Sequence, residues 1–468
     1  MVAGMPGARP TGGRAAGRLV RLARAAAAAF ICLLVVRALA GWRPASLASP
    51  SCLEGCVSAQ HVPGQPAAKQ KKRVGWVGHT FDARPPSGLS VLEARQVASE
   101  NFGNLVWAYG AWQLVDHNAT QLVPLEPPGP YTAPVEVVLL PTANMLMNAS
   151  KYEAIKAYTN TVLGIAEAVT APIVLVGVGS QVRFEDQHGG GGGGGEAAAA
   201  SDFSAASTVV LHPQQVAFLR RVEQSGGLTI TRRKFTAALV EGAGLAPALP
   251  LGCPSLFINH DPSLGASLKR KWEAVVAARD PKLRLAVTLP KVHKDLPPPT
   301  DLLRLLAERV LGAFPASIVV LQTADDMNTL QLLHDRHGLY LPPHRIRYFY
   351  DVESWVDGLA ACCDLVWGFR IHGTMAALMA GVPGVVISRD FRIKELAEAM
   401  AVPSADILHA RLDPDAFDLF DFLEGSVAGA FAGFDARRRQ VARVYAREFK
   451  RLGLALHPGI AALAASTG

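Results

Sequence analysis

Arg370 and His372 are separated by one residue in Gly368-Phe369-Arg370-Ile371-His372-Gly373-Thr374. A guanidinium and an imidazole placed this close can bind a small anion and hand it a proton. Asp364–Trp367 ahead of the motif reads as a short buried strand. Met375–Met379 behind it reads as a helix that stops at Gly381, with Pro383 barring continuation. The pair therefore falls at a strand-to-helix turn, where unpaired helix N–H groups add a positive dipole end. Taken alone, an Arg-x-His triplet reads first as a surface arginine beside a capping histidine. The rest of the chain has to decide.

Further blocks of the same kind recur along the sequence. Asn101-Phe102-Gly103-Asn104 precedes a helix, Pro141-Thr142-Ala143-Asn144 follows a strand, and Gly177-Val178-Gly179-Ser180-Gln181 follows another. Thr229 to Ala237 carries Arg232, Arg233 and Thr236, and Gly252-Cys253-Pro254-Ser255 comes next. Asp390-Phe391-Arg392 with Glu395 closes the series. Each block has a plainer explanation. The glycine loops can be tight strand-to-helix turns, Asp390 can cap a helix, and Arg392 with Glu395 can form an i,i+3 pair. Gly252–Ser255 suits an interdomain turn, and no base for Cys253 is apparent in its neighbourhood.

Seven such blocks in this order resemble the polysaccharide pyruvyl transferase family, over much of residues 73–405. Two departures stand out: a Gly/Ala-rich insertion after Gln181, and Asn104 where many members carry Asp. The resemblance implies an enzyme that moves the pyruvyl group of phosphoenolpyruvate onto two sugar hydroxyls as a cyclic ketal, vicinal or 4,6-type, releasing phosphate. The donor would be a substrate, with no cofactor. A doubly anionic donor calls for arginines, whose planar forks bind oxyanions bidentately. Arg370 and Arg232 are the candidates. Arg232 matches the family position four residues before Thr236, with Arg233 its competitor. His372 is the candidate acid for the methylene carbon. Ile371, Gly373 and Thr374 complete the donor turn. Asn101, Gly103, Asn104, Gly179, Ser180, Gln181, Asp390, Arg392 and Glu395 are acceptor-facing or supporting candidates. Two readings of other kinds remain open: a glycosyltransferase using a nucleotide sugar, and a non-catalytic lumenal carbohydrate-binding protein.

Composition narrows the partners. The 468 residues carry a formal net charge of +7, but residues 1–73 hold eleven Lys/Arg against Glu54 alone. That leaves residues 74–468 at about −3, so the basic excess belongs to the N-terminus and nucleic acid is not expected as a partner. A glycan acceptor is. Ala25–Val36 is an uninterrupted apolar stretch behind Arg14, Arg18, Arg21 and Arg24, with Ala38-Leu39-Ala40 after it. Residues 1–42 read as a cleaved signal peptide or, if uncleaved, a membrane-inserted signal anchor. An organelle transit peptide is the alternative. Entry into the secretory pathway, with the Golgi lumen as destination, agrees with the sequons at Asn118 and Asn148. Six cysteines show no metal-binding spacing, and no metal site is expected. Cys52 and Cys56 could pair with each other; Cys253, Cys362 and Cys363 lie in apolar contexts.

These residues need a scaffold, and the pattern supplies one. Residues 43–72 read as a flexible stem, and from Val74 strands alternate with amphipathic helices, the mark of parallel α/β layers. Strands are predicted at Val74–Gly78, Val135–Leu140, Ile173–Val178 and Leu228–Thr231. Helices are predicted at Ala98–Leu114, Tyr152–Val169, Pro213–Val222 and Lys234–Gly242. The Gly189–Gly195 and Ala197–Ala200 runs, within an insertion of about 187–207, suit a disordered surface loop. A second series follows: strands Leu285–Leu289, Ile318–Gln322, Ile346–Tyr350, Asp364–Trp367 and Val385–Ser388, with Thr300 capping a helix Asp301–Phe314. The expectation is two Rossmann-like domains, 73–265 and 280–430, in a GT-B-like arrangement with an interdomain cleft. They would be joined near Pro262–Asp280, and a C-terminal helix at 431–455 would pack across both. Ligands of such sheets bind outside the carboxyl ends of the strands.

Overall fold

The computed structural model describes residues 70–78, 98, 100–125, 134–180, 209–291, 300–388, 391–406, 413–427 and 429–467. The N-terminal segment 1–42, the stem up to residue 69, the insertion, Gln181 and Asp390 lie outside the described residues. Lys69–Gly468 forms one compact unit.

Two sheets organise that unit, and every strand pairing in them is parallel. The first contains β1 (Lys72–Trp76), β2 (Thr120–Pro124), β3 (Val137–Pro141), β4 (Asn144–Leu146), β5 (Ile173–Ser180), β6 (Leu228–Thr231) and β7 (Leu249–Pro250). Its order is β2-β1-β3-β5-β6-β7, with β4 paired to β5. The second contains β8 (Leu285–Thr288), β9 (Ile318–Leu321), β10 (Ile346–Tyr348), β11 (Leu365–Gly368), β12 (Gly384–Ser388) and β13 (Ser404–Asp406). Its order, β10-β9-β8-β11-β12-β13, is that of a dinucleotide-type doubly wound sheet. The central strands are buried along their whole length, as in Val-Val-Leu-Leu of β3 and Ile-Val-Val-Leu of β9. Helices cover both faces, so these strands read as continuous apolar runs without alternation. The chain is thus two parallel-sheet α/β domains.

The helices are α1 (Gly103–Trp112), α2 (Lys156–Ala168), α3 (Pro213–Gln224), α4 (Lys234–Gly242) and α5 (Leu264–Ala278). There follow α6 (Thr300–Arg304), α7 (Asp325–His337), α8 (Val352–Cys362), α9 (Ile371–Met379) and α10 (Phe391–Ala399). The last three are α11 (Leu419–Ser426), α12 (Phe434–Arg451) and α13 (Pro458–Ala465). Several differ from the pattern-based reading for local reasons. The first helix begins at Gly103 rather than Ala98, because Glu100 sits at φ 62 and Asn101 pairs with Thr323 in an isolated bridge. Tyr152 falls in a 3-10 turn, Ala149–Ala154, broken from α2 by Ile155 at φ −125. Thr300 is helical, the residues before it to 292 lie outside the described ones, and α6 continues as a wider π-helical stretch, Leu305–Leu311. The expected linker at Pro262–Asp280 is mostly α5.

The largest apolar cluster runs without a break from β1 and β3 of the first sheet to β8, β9 and β11 of the second, and includes buried Trp76 and Trp367. Burying an aliphatic or aromatic side chain fully is worth roughly 1.5–3 kcal/mol, so the two halves share a core. A second cluster lies on the other face of the first sheet. Helix α12 clasps both halves. Arg437 donates from Nε to Ala399 O (2.6 Å) and from Nη2 to Pro250 O (3.1 Å). Arg438, wholly buried, donates to the carbonyls of Leu256, Asn259 and Asp261. No helix among the described residues is long and apolar enough to cross a membrane.

Candidate functional site

In the second sheet the strand order reverses between β8 and β11, and the motif that carries Arg370 leaves from that point. Arg370 precedes α9 with extended backbone angles, φ −121 and ψ 114. Its N–H donates to Thr288 Oγ1 (3.0 Å) and its Nε to Leu289 O (3.0 Å), both at the end of β8. Nη2 donates to Thr323 Oγ1 (3.3 Å) and to the carboxylate of Asp326. That carboxylate is fully buried, and its second oxygen accepts from Gln322 N (2.7 Å) and Thr323 N (2.9 Å). Arg370 thus bolts the start of α9 to the start of α7, with one face of its guanidinium already committed.

His372 lies in the first turn of α9, and its Nε2 is 3.8 Å from Cys253 Sγ. Burial, and then the charge of Arg232, hold its pKa well below the usual histidine range, so the free imidazole is neutral at neutral pH. Cys253 is buried at the start of the 3-10 turn Pro254–Phe257. Sequence proximity offered it no base. The fold brings an imidazole to it from 119 residues away.

Arg232 and Arg233 stand side by side after β6 and have opposite fates. Arg233 ion-pairs with Glu395 of α10 (3.2 Å) and donates to Ser180 O (2.9 Å) and Oγ (2.6 Å). Glu395 also accepts from Phe235 N (2.7 Å). Burial raises its pKa, against the lowering pull of Arg233. Arg232 is 4% exposed. Its Nε donates to Gly177 O (2.8 Å), a carbonyl turned inward by a residue at φ +74, a conformation that suits glycine. Its guanidinium carbon lies 5.5 Å from the centroid of the Trp107 ring, within cation–π reach. Among the described residues no carboxylate pairs with it and its buried Nη2 has no hydrogen-bond partner. Burial accordingly lowers its pKa.

The N-terminal block supports this group. Asn104 accepts from Trp107 Nε1 (3.2 Å) and donates to Ala98 O (3.0 Å), fixing the ring under Arg232. Asn101 Oδ1 accepts from Gly103 N (3.0 Å). A methyl at Gly103 would lie 2.7 Å from Gln322 Oε1 and 3.3 Å from Cβ of His372. A methyl at Gly373 would lie 2.3 Å from Gln322 Nε2. Both glycines therefore make room for the buried Gln322 amide, whose Nε2 has no partner among the described residues. A methyl at Gly179 would meet Ala143 O, Asn144 Oδ1 and Cδ of Arg232 at 3.2–3.4 Å.

The structure therefore brings Arg232, His372, Arg370, Asn101, Gly103, Asn104 and Gly179 to one seam between the two sheets. Ser180 and Glu395 stand behind it, with their polar atoms taken by Arg233 and Phe235. Thr374 is buried and donates to Arg370 O (3.3 Å), and Ile371 is also buried. Arg392 lies half-buried on α10. Among the described residues, no group of three or more His, Cys, Asp and Glu is placed to hold a metal ion. Asn118 is exposed. Asn148 caps the 3-10 turn and accepts from Ser150 N and Oγ, both 3.2 Å. Sequence reading passed over Trp107, Gln322 and Asp326. Trp107 was within reach by helical spacing, three residues after Asn104 on one face. Gln322 closes a predicted strand at its carboxyl end, where ligands of such sheets bind.

Comparison with known proteins supports the resemblance read from the motifs. Residues 234–391, about a third of the chain, match the family model of polysaccharide pyruvyl transferase. The match covers Cys253, Arg370 and His372, identifies a transferase, and implies a polysaccharide acceptor. No curated protein matches the chain. Among solved structures, a Listeria monocytogenes protein assigned as a UDP-N-acetylglucosamine 2-epimerase is similar at 11% identity. The likeness covers 81% of this chain and 98% of that one, with a TM-score of 0.41. The UDP-N-acetylglucosamine 2-epimerase of Rickettsia bellii is similar at 10% identity, covering 81% and 98%, with a TM-score of 0.30. Likenesses at this level bear on neither activity nor ligand.

Proposed function

We propose that this transferase takes the pyruvyl group of phosphoenolpyruvate and sets it as a cyclic ketal on two hydroxyls, vicinal or 4,6-type, of a glycan sugar, releasing phosphate. One observation carries the reading: a buried guanidinium, Arg232, that has no anionic partner among the described residues and lies beside a neutral histidine. An unpaired buried cation costs free energy unless a ligand completes it. Phosphoenolpyruvate offers both a phosphate and a carboxylate to do so. Its charge would offset that of Arg232 and lift the His372 pKa, so the imidazole takes up a proton as the donor binds. His372 then gives that proton to the methylene carbon, and a sugar hydroxyl attacks the electrophilic C2 and returns its proton to the neutral imidazole. The phosphate then departs, taking up the proton of the second hydroxyl as that oxygen bonds to C2 and closes the ketal. The Arg233–Glu395 and Phe102–Gln322 contacts cross the seam, and donor entry requires it to part there. The arginine- and alanine-rich N-terminus and the exposed sequon at Asn118 support a lumenal setting in the secretory pathway.

The test is calorimetry followed by turnover. Phosphoenolpyruvate should bind the wild type, and Arg232→Met should abolish most of that binding. Phosphate should then be released only when a suitable galactoside or mannoside is present. Binding of a nucleotide diphosphate sugar without phosphoenolpyruvate binding would sink the proposal in favour of glycosyl transfer.

A further inference from the structure

Away from the seam, α8 ends on two consecutive cysteines that the proposed chemistry does not use. Cys362 is the last residue of the helix and is half-buried; Cys363 follows it, buried and extended at φ −132 and ψ 146. Their sulfurs are 2.6 Å apart, in direct hydrogen-bonding contact. The backbone around them is held in place. Cys363 N donates to Leu359 O (3.1 Å), and Arg284 donates from Nη2 and Nε to Asp364 (2.6 and 3.1 Å). Arg284 Nη1 reaches Ala361 O (3.4 Å). Two thiols are thus presented side by side, one facing partly to solvent and one inside, with a guanidinium beside them.

The geometry points to a redox-active vicinal dithiol. Cys362 is the attacking thiol and Cys363 the resolving one, and the ligand class is a small-molecule disulfide such as glutathione disulfide. In the first step the Cys362 thiolate attacks one sulfur of the small disulfide, forming a mixed disulfide and releasing one thiolate. In the second, Cys363 gives its proton to that thiolate or to water and attacks Cys362 Sγ. The second small thiol leaves, and a Cys362–Cys363 disulfide remains. Two protein thiols are oxidised and one small disulfide is reduced to two thiols, so electrons and protons balance.

The electrostatics suit this order of events. Cys362 is drawn down to about 7, first by the hydrogen bond with Cys363 and then by Arg284 and Arg347, against the opposing pull of burial. A thiol whose pKa is near ambient pH combines thiolate fraction with nucleophilicity. Cys363 is pushed up, above all by Cys362 itself and then by burial. Once Cys362 is capped as a mixed disulfide, the main restraint on Cys363 deprotonation is removed. An oxidising compartment would favour the closed form.

Tryptic cleavage after Arg347 and Arg370 isolates both cysteines on one peptide, Tyr348–Arg370, apart from the other four. The full-length protein is exposed to glutathione disulfide, acid-quenched, digested and weighed. The expected wild-type peptide is lighter by two hydrogens, carries no glutathione, and regains the hydrogens with dithiothreitol. Cys363→Ser should retain one glutathione on Cys362. Cys362→Ser should leave the peptide unmodified over the same interval. A wild-type peptide that stays reduced, or that keeps a glutathione adduct without closing, overturns the proposal. So does a Cys362→Ser variant that reacts as fast as the wild type. The wild-type result decides even if a variant fails to fold.

Discussion

Two adjacent arginines, both nearly inaccessible, differ in what surrounds them, and their behaviour should differ accordingly. Arg233 has a carboxylate, a carbonyl and a hydroxyl as partners. Arg233→Met should strand Glu395 as a buried, unpaired charge and cost about 3–5 kcal/mol of stability, read as a large drop in urea midpoint. Arg232 has one carbonyl and an aromatic face. Arg232→Met should leave the midpoint at or above wild type while weakening donor binding by the equivalent of about 1.5–3 kcal/mol, roughly 10–100-fold. Equal destabilisation by both substitutions would make Arg232 structural and remove the anion site. His372 is tested beside them. His372→Asn keeps a polar group at the helix start but cannot exchange a proton near neutral pH. Its kcat should fall by roughly 10²–10⁴-fold, and the proton uptake on donor binding, measured by calorimetry in two buffers of different ionisation heat, should vanish. An unchanged kcat and pH profile would leave His372 a binder only.

At the scale of elements, the site is a set of strand ends joined by side chains that sequence could only partly foresee. The Arg370–Asp326 bond links the β11-to-α9 turn to the β9-to-α7 turn. Arg370 was legible as chemistry from its place beside His372; its use as a fastener was not, because Asp326 lies 44 residues away. Asp326→Ala should therefore cost about 3 kcal/mol, the low end for a broken buried pair because Arg370 keeps some water access, and should lower kcat by misplacing α9. A variant with normal stability and reduced kcat would instead assign Asp326 to the chemistry. The strands were legible for a simple reason: short runs such as Leu285–Thr288 and Gly384–Ser388 are buried on both faces, so nearly every residue in them is apolar. What failed were boundaries and connections. Glu100 at positive φ delays α1, and α5 fills what composition presented as a linker. The partnership of Cys253 with His372 and of Arg233 with Glu395 is tertiary, and no local period carries it.

Across the whole molecule, the C-terminal segment closes the structure through histidines, which makes its docking sensitive to acid. His457 N donates to Leu114 O (2.9 Å), Asp116 N donates to Ala455 O (2.9 Å), and Leu456 bridges Val115. The Nδ1 of His457 accepts from Gly459 N (3.1 Å) and so caps α13 in its neutral form. Its ring stacks on that of His260 with centroids 4.2 Å apart. Burial, then the charges of His457 and Arg438, bring His260 down to about 4, against a weaker upward pull from the Phe257 backbone. His457 is likewise lowered, by burial and then His117, with Asp116 opposing. An unfolded chain takes these protons near pH 6.5, whereas the folded one keeps His260 neutral to about pH 4 and holds His457 neutral below its ordinary value. The stability they contribute is therefore complete above about pH 6.5 and is lost as pH falls towards 4, because the unfolded state then binds more protons. Protonating His457 would also remove its cap on α13 and place a charge against its neighbour. Between pH 7 and 4 the urea midpoint should fall, and amide exchange in Pro458–Ala465 should accelerate before exchange in the β8 and β11 strands does. His260→Asn should flatten that fall within the same window. A midpoint that holds steady across it, or a slope untouched by the substitution, would show that the C-terminal lock does not depend on neutral histidines.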